Sequence, residues 1–571
     1  MKVSNDSAAA VIARMLKARG VKRIFALCGG HIMPIWMRID AEGIRIIDVR
    51  DERSAVHMAQ AHAELTGELG VALVTAGPGL TNAVTGIANA HVSRAPILVL
   101  SGGNPRPQEN RGGLQDMDAT QVVRSITRYA RTVRDPARVP AELDEAIACA
   151  LGEGGEPGPA YIDFPVDTLR AAVPNVLVTD EHVSPKPRVI TKPDPEQVTR
   201  AVDLLWGAKR VLVISGRGAR GAGPELVALL DRLGAVYLDT GESRGLVPDT
   251  HPSVVGAMRG AVMTDADIVL TVGRKLDFQL AYGSPAVFGD AQFVRISDAP
   301  GEIRDNRRGA VAILATPAET LRAMVETAGN RPSAVDRDWA GKLRAGHEQR
   351  AKKLQASNAA APNGADGKLH PNRVLAALSE AIGDNAVVIN DGGDFLAFGR
   401  VALNAPKMLD PGPFGCIGVG VPYGVAAALE YPDRPVVVAT GDGSFGFNAM
   451  EIDTAVRHKA PVLIVVANNG AWQIEVHDQT VTHGKVVGTK LQVSDYAAMA
   501  RAFGMHGERV ETQEQLGPAI ERALANRPAL LDMVVTTDAV TSDGKTGLAW
   551  VPDLQPLAAW DEAERKWRGA A

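Results

Sequence analysis

A series of short apolar runs, at 45–49, 71–75, 96–101, 210–215, 268–272, 386–390, 435–440 and 461–467, constrains this chain more than any other feature. Each is rich in β-branched residues and too short for a buried helix, and helical patterns alternate with them. A strand without polar alternation must be covered on both faces, the condition of a parallel sheet with helices above and below. The repeat of strand, turn and helix therefore predicts an α/β chain of doubly wound parallel sheets. Two stretches break the repeat: 175–197, with scattered prolines and charges, and 355–369 (QASNAAAPNGADGKL), small, polar and without period. They divide the chain into three α/β units, 1–180, 190–345 and 368–540, and 571 residues is in any case too long for one core. The tail, 541–571, holds Trp550, Pro552, Pro556 and Trp560, too apolar a set to stay solvated.

Composition removes several classes of function. Hydrophobic content of 46% with 22% charged residues is that of a globular protein, and a net charge of −5 gives no electrostatic ground for nucleic acid or an anionic membrane. Three cysteines, Cys28, Cys149 and Cys416, make no even framework, so a reducing, cytoplasmic setting is expected. Residues 7–19 read as an amphipathic helix rather than a secretory leader, and no apolar run is long enough to span a bilayer.

The third unit carries the most specific signal. Gly441-Asp442-Gly443 follows the run 435–440, and a helical pattern begins near Ser444. Glycine admits a ligand close to the backbone, and a helix start offers free N–H groups to an anion. The next run ends in Asn468-Asn469-Gly470. Neighbouring strand ends in a parallel sheet bring Asp442 and Asn469 together as one carboxylate and one amide oxygen, hard ligands suited to Mg²⁺ shared with a diphosphate. A lone GDG marks only a tight turn; the helix and strand between it and Asn469 make the pair informative. The pair resembles the thiamine-diphosphate fingerprint. That resemblance implies Asp442, Asn469 and the backbone carbonyl of Ala471 as Mg²⁺ ligands, with Gly441, Gly443, Ser444 and Trp472 beside the cofactor.

Thiamine chemistry also needs a poorly hydrated carboxylate against N1′ of the aminopyrimidine. Glu52 stands where the run 45–49 hands over to a helix, a place where an acid is ordinarily only a dipole partner. Its surroundings, IIDVRDERSAVHMAQAHAELT and then VALVTAGPGLTNAVTGIANAH, resemble the pyrimidine-binding domain of acetolactate synthase, benzaldehyde lyase and their relatives. The resemblance covers nearly the whole chain, with pyrimidine-binding, middle Rossmann-like and diphosphate-binding units in the family's order. It implies Glu52 as the activating acid, with Asn82 and Gln115 near the cofactor. In Gly415-Cys416-Ile417-Gly418-Val419-Gly420 it implies Ile417 as the apolar wedge beneath the bent cofactor, which brings its two rings together. It also implies that Glu52 of one subunit and Asp442 of another serve one cofactor, so a homodimer or homotetramer is expected.

The middle unit is open to two readings. Gly216-Arg217-Gly218 follows a strand as a nucleotide-binding turn would, and Arg217, Arg259 and Arg274 are cations for the phosphates of ADP or CoA. Relatives hold FAD, ADP or a CoA nucleotide here, or nothing, and Ser297 stands where a ribose-binding Asp would fall, with Asp298 one place late.

For the substrate, His31 in Cys28-Gly29-Gly30-His31 is either a proton carrier or a hydrogen-bonded structural histidine, with Cys28 a pocket wall. Ala471-Trp472-Gln473-Ile474-Glu475 resembles a segment of bacterial 2-hydroxyacyl-CoA lyases whose glutamate reaches the substrate; the alternative is a solvated helix face. The tail, with Gly547 to Asp553, resembles that group's extra segment and is expected to close as a lid. The leading expectation is a lyase that cleaves 2-hydroxyacyl-CoA to formyl-CoA and an aldehyde or ketone, or joins them. The alternatives are an acetolactate-synthase-like carboligase acting on a 2-oxoacid, and a catalytically silent cofactor-binding module.

Overall fold

The computed structural model describes residues 6–541 and, beyond them, Glu562, Arg565, Lys566 and Gly569. The first sheet contains β1 (Arg23–Ala26), β2 (Arg45–Asp48), β3 (Gly70–Val74), β4 (Ile97–Gly103), β5 (Tyr129–Thr132) and β6 (Ala160–Pro165), in the order β2-β1-β3-β4-β6-β5. The second contains β7 (Val211–Ser215), β8 (Val236–Leu238), β9 (Ile268–Val272), β10 (Gln292–Ser297) and β11 (Val311–Leu314), ordered β11-β10-β9-β7-β8. The third contains β12 (Val387–Asp391), β13 (Lys407–Leu409), β14 (Val436–Gly441), β15 (Val462–Asn468), β16 (His506–Val510) and β17 (Ala529–Val534), ordered β13-β12-β14-β15-β17-β16. Every pairing within the sheets is parallel. The apolar runs became strands because helices cover both faces, leaving β3, β7, β9, β12 and β15 buried along their whole length; the run 45–49, also expected to be fully covered, forms the edge strand β2, in which Arg45 is exposed and only Ile47 is buried. Among the described residues, no helix is long and apolar enough to cross a membrane.

The first and third units share one hydrophobic core. Val56 and Ala59 of the helix Glu52–Thr66 and Ile87 of Pro78–Val92 join Val419, Tyr423 and Ala427, the last two from the helix Gly420–Glu430, in a single buried cluster. Small residues let the helices approach closely: a Cβ on Gly86 would stand 2.8 Å from the Val56 side chain. The middle unit keeps separate cores, one around Trp206, Leu229 and Val213 and one around Phe288, Phe293 and Leu212.

One further expectation needs revision. The helix Arg337–Ala359 runs unbroken through the end assigned to the middle unit at 345 and into the stretch read as a linker from 355. Its only buried residues are Leu343 and Asn358, so it has little apolar face to reveal it. The helix expected near Ser444 is present as Asp442–Asn448. The expected lid, 541–571, lies outside the described residues after Thr541 apart from the four named above.

Candidate active site

β14 and β15 pair in parallel with Gly441 opposite Ala467, so the two motif loops leave neighbouring strand ends side by side. The Gly470 amide donates to Asp442 Oδ2 at 2.9 Å and the Ala471 amide to Asn469 Oδ1 at 3.0 Å, fixing both oxygen-bearing side chains. Asp442 is 3% exposed, and burial pushes its carboxyl up to about 6, with the Gly470 and Gly443 amides pulling the other way. A carboxylate kept from water without a cation beside it is a fitting partner for Mg²⁺. Among the described residues no group of three His, Cys, Asp or Glu side chains could hold a metal. Mg²⁺ needs none when an amide, a backbone carbonyl and phosphate oxygens complete its shell. Gly443 lies under Trp472, and a Cβ there would enter the indole.

A cavity of about 1070 Å³ opens at this point between the third and middle units. Gly441, Asp442, Gly443, Ser444, Asn469, Ala471 and Trp472 line it, together with Gly415, Ile417 and Glu475. Glu475 sits on the short helix Gln473–Asp478 with its side exposed. That helix is held by the chain leaving β17: Gln473 Nε2 donates to the Thr537 carbonyl at 2.8 Å, and His477 Nε2 lies 3.3 Å from the Ala539 carbonyl. Thr541 then reaches Asp394 at 3.4 Å, a cavity residue whose carboxyl burial pushes up to about 7.

The first unit gathers its own cluster at the carboxyl ends of its strands. Glu52 opens the helix Glu52–Thr66, is 6% exposed and accepts from Asn82 Nδ2 at 3.1 Å. The Gly77–Gly79 turn crosses close by: a Cβ on Gly79 would lie 3.2 Å from Glu52 Oε1, and one on Gly77 would lie 2.8 Å from Gln115 Cβ. Gln115 holds a left-handed backbone at φ +63°. His31 Nε2 lies 2.9 Å from the side-chain oxygen of Asn104, a partner that the sequence did not disclose. None of Glu52, His31, Asn82 or Gln115 borders the cavity around Asp442. In the same chain, the Glu52 corner instead docks on the third unit through Arg50 N to Glu451 (3.0 Å) and Ser54 Oγ to Asn448 (3.1 Å).

The cations of the middle unit separate. Arg217 and Arg274 line another cavity, of about 470 Å³, together with Arg94 and Arg128 from the first unit. There Arg217 pairs with Glu242, Arg274 pairs with Asp277 at 2.9 Å, and Arg94 pairs with Asp298, with Glu156 at 3.0 Å and with Glu302 at 3.0 Å. The amides of Gly216, Gly218, Ala219 and Arg220 all donate to backbone carbonyls. With these turn amides and the arginines Arg94, Arg128, Arg217 and Arg274 already engaged, and among the described lysines and arginines of this cavity only the exposed Lys275 outside those pairs, the geometry gives ADP or CoA phosphates little support there. Arg259 faces the Asp442 cavity instead.

Comparison with known proteins accords with this geometry. The chain matches the models of the thiamine pyrophosphate enzyme N-terminal TPP binding domain over residues 6–122, the central domain over 198–324 and the C-terminal TPP binding domain over 391–533. It belongs to the thiamine pyrophosphate enzyme family and is a thiamine-diphosphate-dependent lyase or carboligase. Its relatives include a probable acetolactate synthase of Mycobacterium bovis, 33% identical over 94% of this chain and 97% of that protein. They also include 2-hydroxyacyl-CoA lyase 2 of Homo sapiens, 33% identical over 87% of this chain and 84% of that protein. 2-hydroxyacyl-CoA lyase 1 of Mus musculus is 30% identical, over 93% of this chain and 94% of that protein.

Proposed function

We propose that this enzyme cleaves 2-hydroxyacyl-CoA to formyl-CoA and an aldehyde or ketone, or runs the reverse condensation, with Mg²⁺ holding the cofactor's diphosphate. The cavity that joins Asp442 and Asn469 to Ile417 and Glu475 carries this reading. Bound thiamine diphosphate supplies a nucleophilic carbon and an electron sink next to the substrate carbonyl. Asp442, Asn469 and the Ala471 carbonyl would hold the metal, and Ile417 would pack against the bound cofactor. Glu52, whose carboxylate Asn82 fixes, would share a proton with the aminopyrimidine N1′ of the bound cofactor. Glu475 and His31 move substrate protons. Arg259 has no carboxylate partner within ion-pair distance among the described residues, and burial and Arg274 lower its pKa; a substrate anion would relieve that imbalance. Because no first-unit acid borders the cavity, a second copy of the chain brings Glu52 to it, which makes the working enzyme a dimer or tetramer of cytoplasmic type.

The second reading, a carboligase that decarboxylates pyruvate, is favoured by the near end-to-end match to the Mycobacterium bovis relative. A silent module is disfavoured by the buried, hydrogen-bonded Glu52, which mere cofactor retention does not require.

Purified protein with thiamine diphosphate and Mg²⁺ is to be given a 2-hydroxyacyl-CoA in one tube and pyruvate in another. Formyl-CoA in the first supports the leading reading; acetolactate in the second with no formyl-CoA in the first replaces it. Glu52→Gln is expected to keep the cofactor while C2 proton exchange falls ~10²-fold or more; unchanged exchange would remove Glu52 from its role.

A further inference from the structure

Ile417 sits in a stretch with no regular structure, between glycines that hold no fixed conformation of their own. A wedge so placed supports a cofactor only if the backbone around it is anchored, and two side chains anchor it. Asp391, the last residue of β12, is 1% exposed. Its carboxylate accepts from the amides of Gly418 at 3.1 and 3.2 Å, Gly420 at 2.9 Å and Gly392 at 2.8 Å, and from the Thr440 hydroxyl at 3.4 Å. No lysine or arginine pairs with it among the described residues; these donors oppose the cost of burying the charge only in part, and burial still pushes the carboxyl up to about 6. From the other side, Asn448 Nδ2 donates to the Gly418 carbonyl at 2.6 Å, and its Oδ1 accepts from Ser54 Oγ at 3.1 Å. Gly418 is held at φ +91°, where a Cβ would run into Phe447, and a Cβ on Gly420 would stand 2.9 Å from that of Asp391. Peptide units on the carboxyl side of Ile417 are thus clamped between strand β12 and the residue that also binds the Glu52 helix.

We infer that Asp391 is a positioning residue for cofactor activation: by gripping the Gly418 and Gly420 amides, it sets the height of Ile417 beneath the cofactor. Asn448 is the second anchor. The inference rests on the thiamine-diphosphate reading of the site and on Ile417 as the wedge. A wedge works by pressing two reacting rings together, and a misplacement of about 1 Å in such geometry costs on the order of 10²-fold in rate. Asp391→Asn keeps the shape while turning an NH₂ group or a single oxygen towards donors that need an anion.

The test uses the full-length chain with two readouts. In the apo protein, hydrogen–deuterium exchange of the 415–421 peptide is expected to quicken at least ~10-fold in Asp391→Asn, with the other strands of the third sheet unchanged. In the loaded protein at saturating cofactor, C2 proton exchange is expected to fall between ~10- and ~100-fold. Adding Ile417→Ala to Asp391→Asn should cost less than the two changes made separately, since an absent wedge needs no positioning. If Asp391→Asn fails to fold, Asn448→Ala, which loosens the same peptide from the other side, takes its place with the same expected readouts. Exchange at C2 within twofold of wild type in a folded, saturated variant would overturn the inference, as would additive losses in the double variant. Wild-type protein that shows no C2 exchange would instead refute the underlying reading of the site.

Discussion

At the scale of single residues, the site depends on close approaches that leave no space for change. Gly443 touches the indole of Trp472 where any Cβ would overlap it. Gly443→Ala is expected to displace either the ring or the turn that presents Asp442, raising the thiamine diphosphate Kd ~10-fold or more, about 1.4 kcal/mol. Titration calorimetry measures this, and an unchanged Kd would mean the ring moves aside freely. Cys416 neighbours Ile417, but burial, helped by Asp391, pushes its thiol up to about 11, whereas Cys28 is exposed. Alkylation of the native protein near pH 7.5 is expected to mark Cys28 well before Cys416, read by peptide mass spectrometry; equal rates would contradict the protected thiol. Residues of this kind differ in how far the sequence announces them. The juxtaposition of Asp442 and Asn469 could be read because each stands in a short motif at a strand end. Asp391, Asn448 and Asn104 could not, because their partners are distant in the chain: Asp391 meets Gly418 27 residues on, and Asn448 meets Ser54 394 residues back.

At the scale of elements, the interior apolar runs told the truth about strands because burial on both faces leaves no polar alternation to confuse them, whereas the run that forms β2 lies at a sheet edge with only Ile47 buried. The helix Arg337–Ala359 escaped notice for the opposite reason, being polar nearly all round. The helix Glu52–Thr66 holds a feature that its sequence hides, a histidine buried against the third unit. His57 is fully buried, lies edge-on to Tyr423 with centroids 6.1 Å apart, and has its pKa lowered to about 3 by burial and then by Arg53. The folded chain refuses a proton that the unfolded chain accepts near pH 6.5. Its stabilising effect is therefore complete above about pH 6.5 and is lost as pH falls towards 3, amounting to roughly 2 kcal/mol by pH 5. The urea midpoint is expected to drop between pH 7 and pH 5, and to drop less in His57→Leu. An equal drop in both proteins would place the acid sensitivity elsewhere.

At the scale of the whole molecule, the arrangement poses a geometric problem that a second copy would solve. The first and third units share a core, yet the face of the first unit that bears Glu52, Asn82 and Gln115 does not border the cavity that bears Asp442 and Ile417. On the proposed reading one chain would hold two unlike half-sites, and two chains related by a twofold axis would make two whole ones. This has a consequence that catalysis within single chains cannot imitate. Glu52→Gln and Asp442→Ala are each expected to be inactive alone. When subunits of the two variants exchange, a mixed dimer combines the intact Asp442 of one chain with the intact Glu52 of the other at one site and both defects at the second. Random mixing makes about half the dimers mixed, so activity should return to roughly a quarter of wild type. The mixture is to be assayed after dilution and reassociation, with the separate variants as blanks. Recovery supports a site built from two subunits. A mixture that stays as silent as its components, although mixed dimers are shown to form, would confine the site to one chain and require Glu52 to reach the cavity by a movement of the first unit.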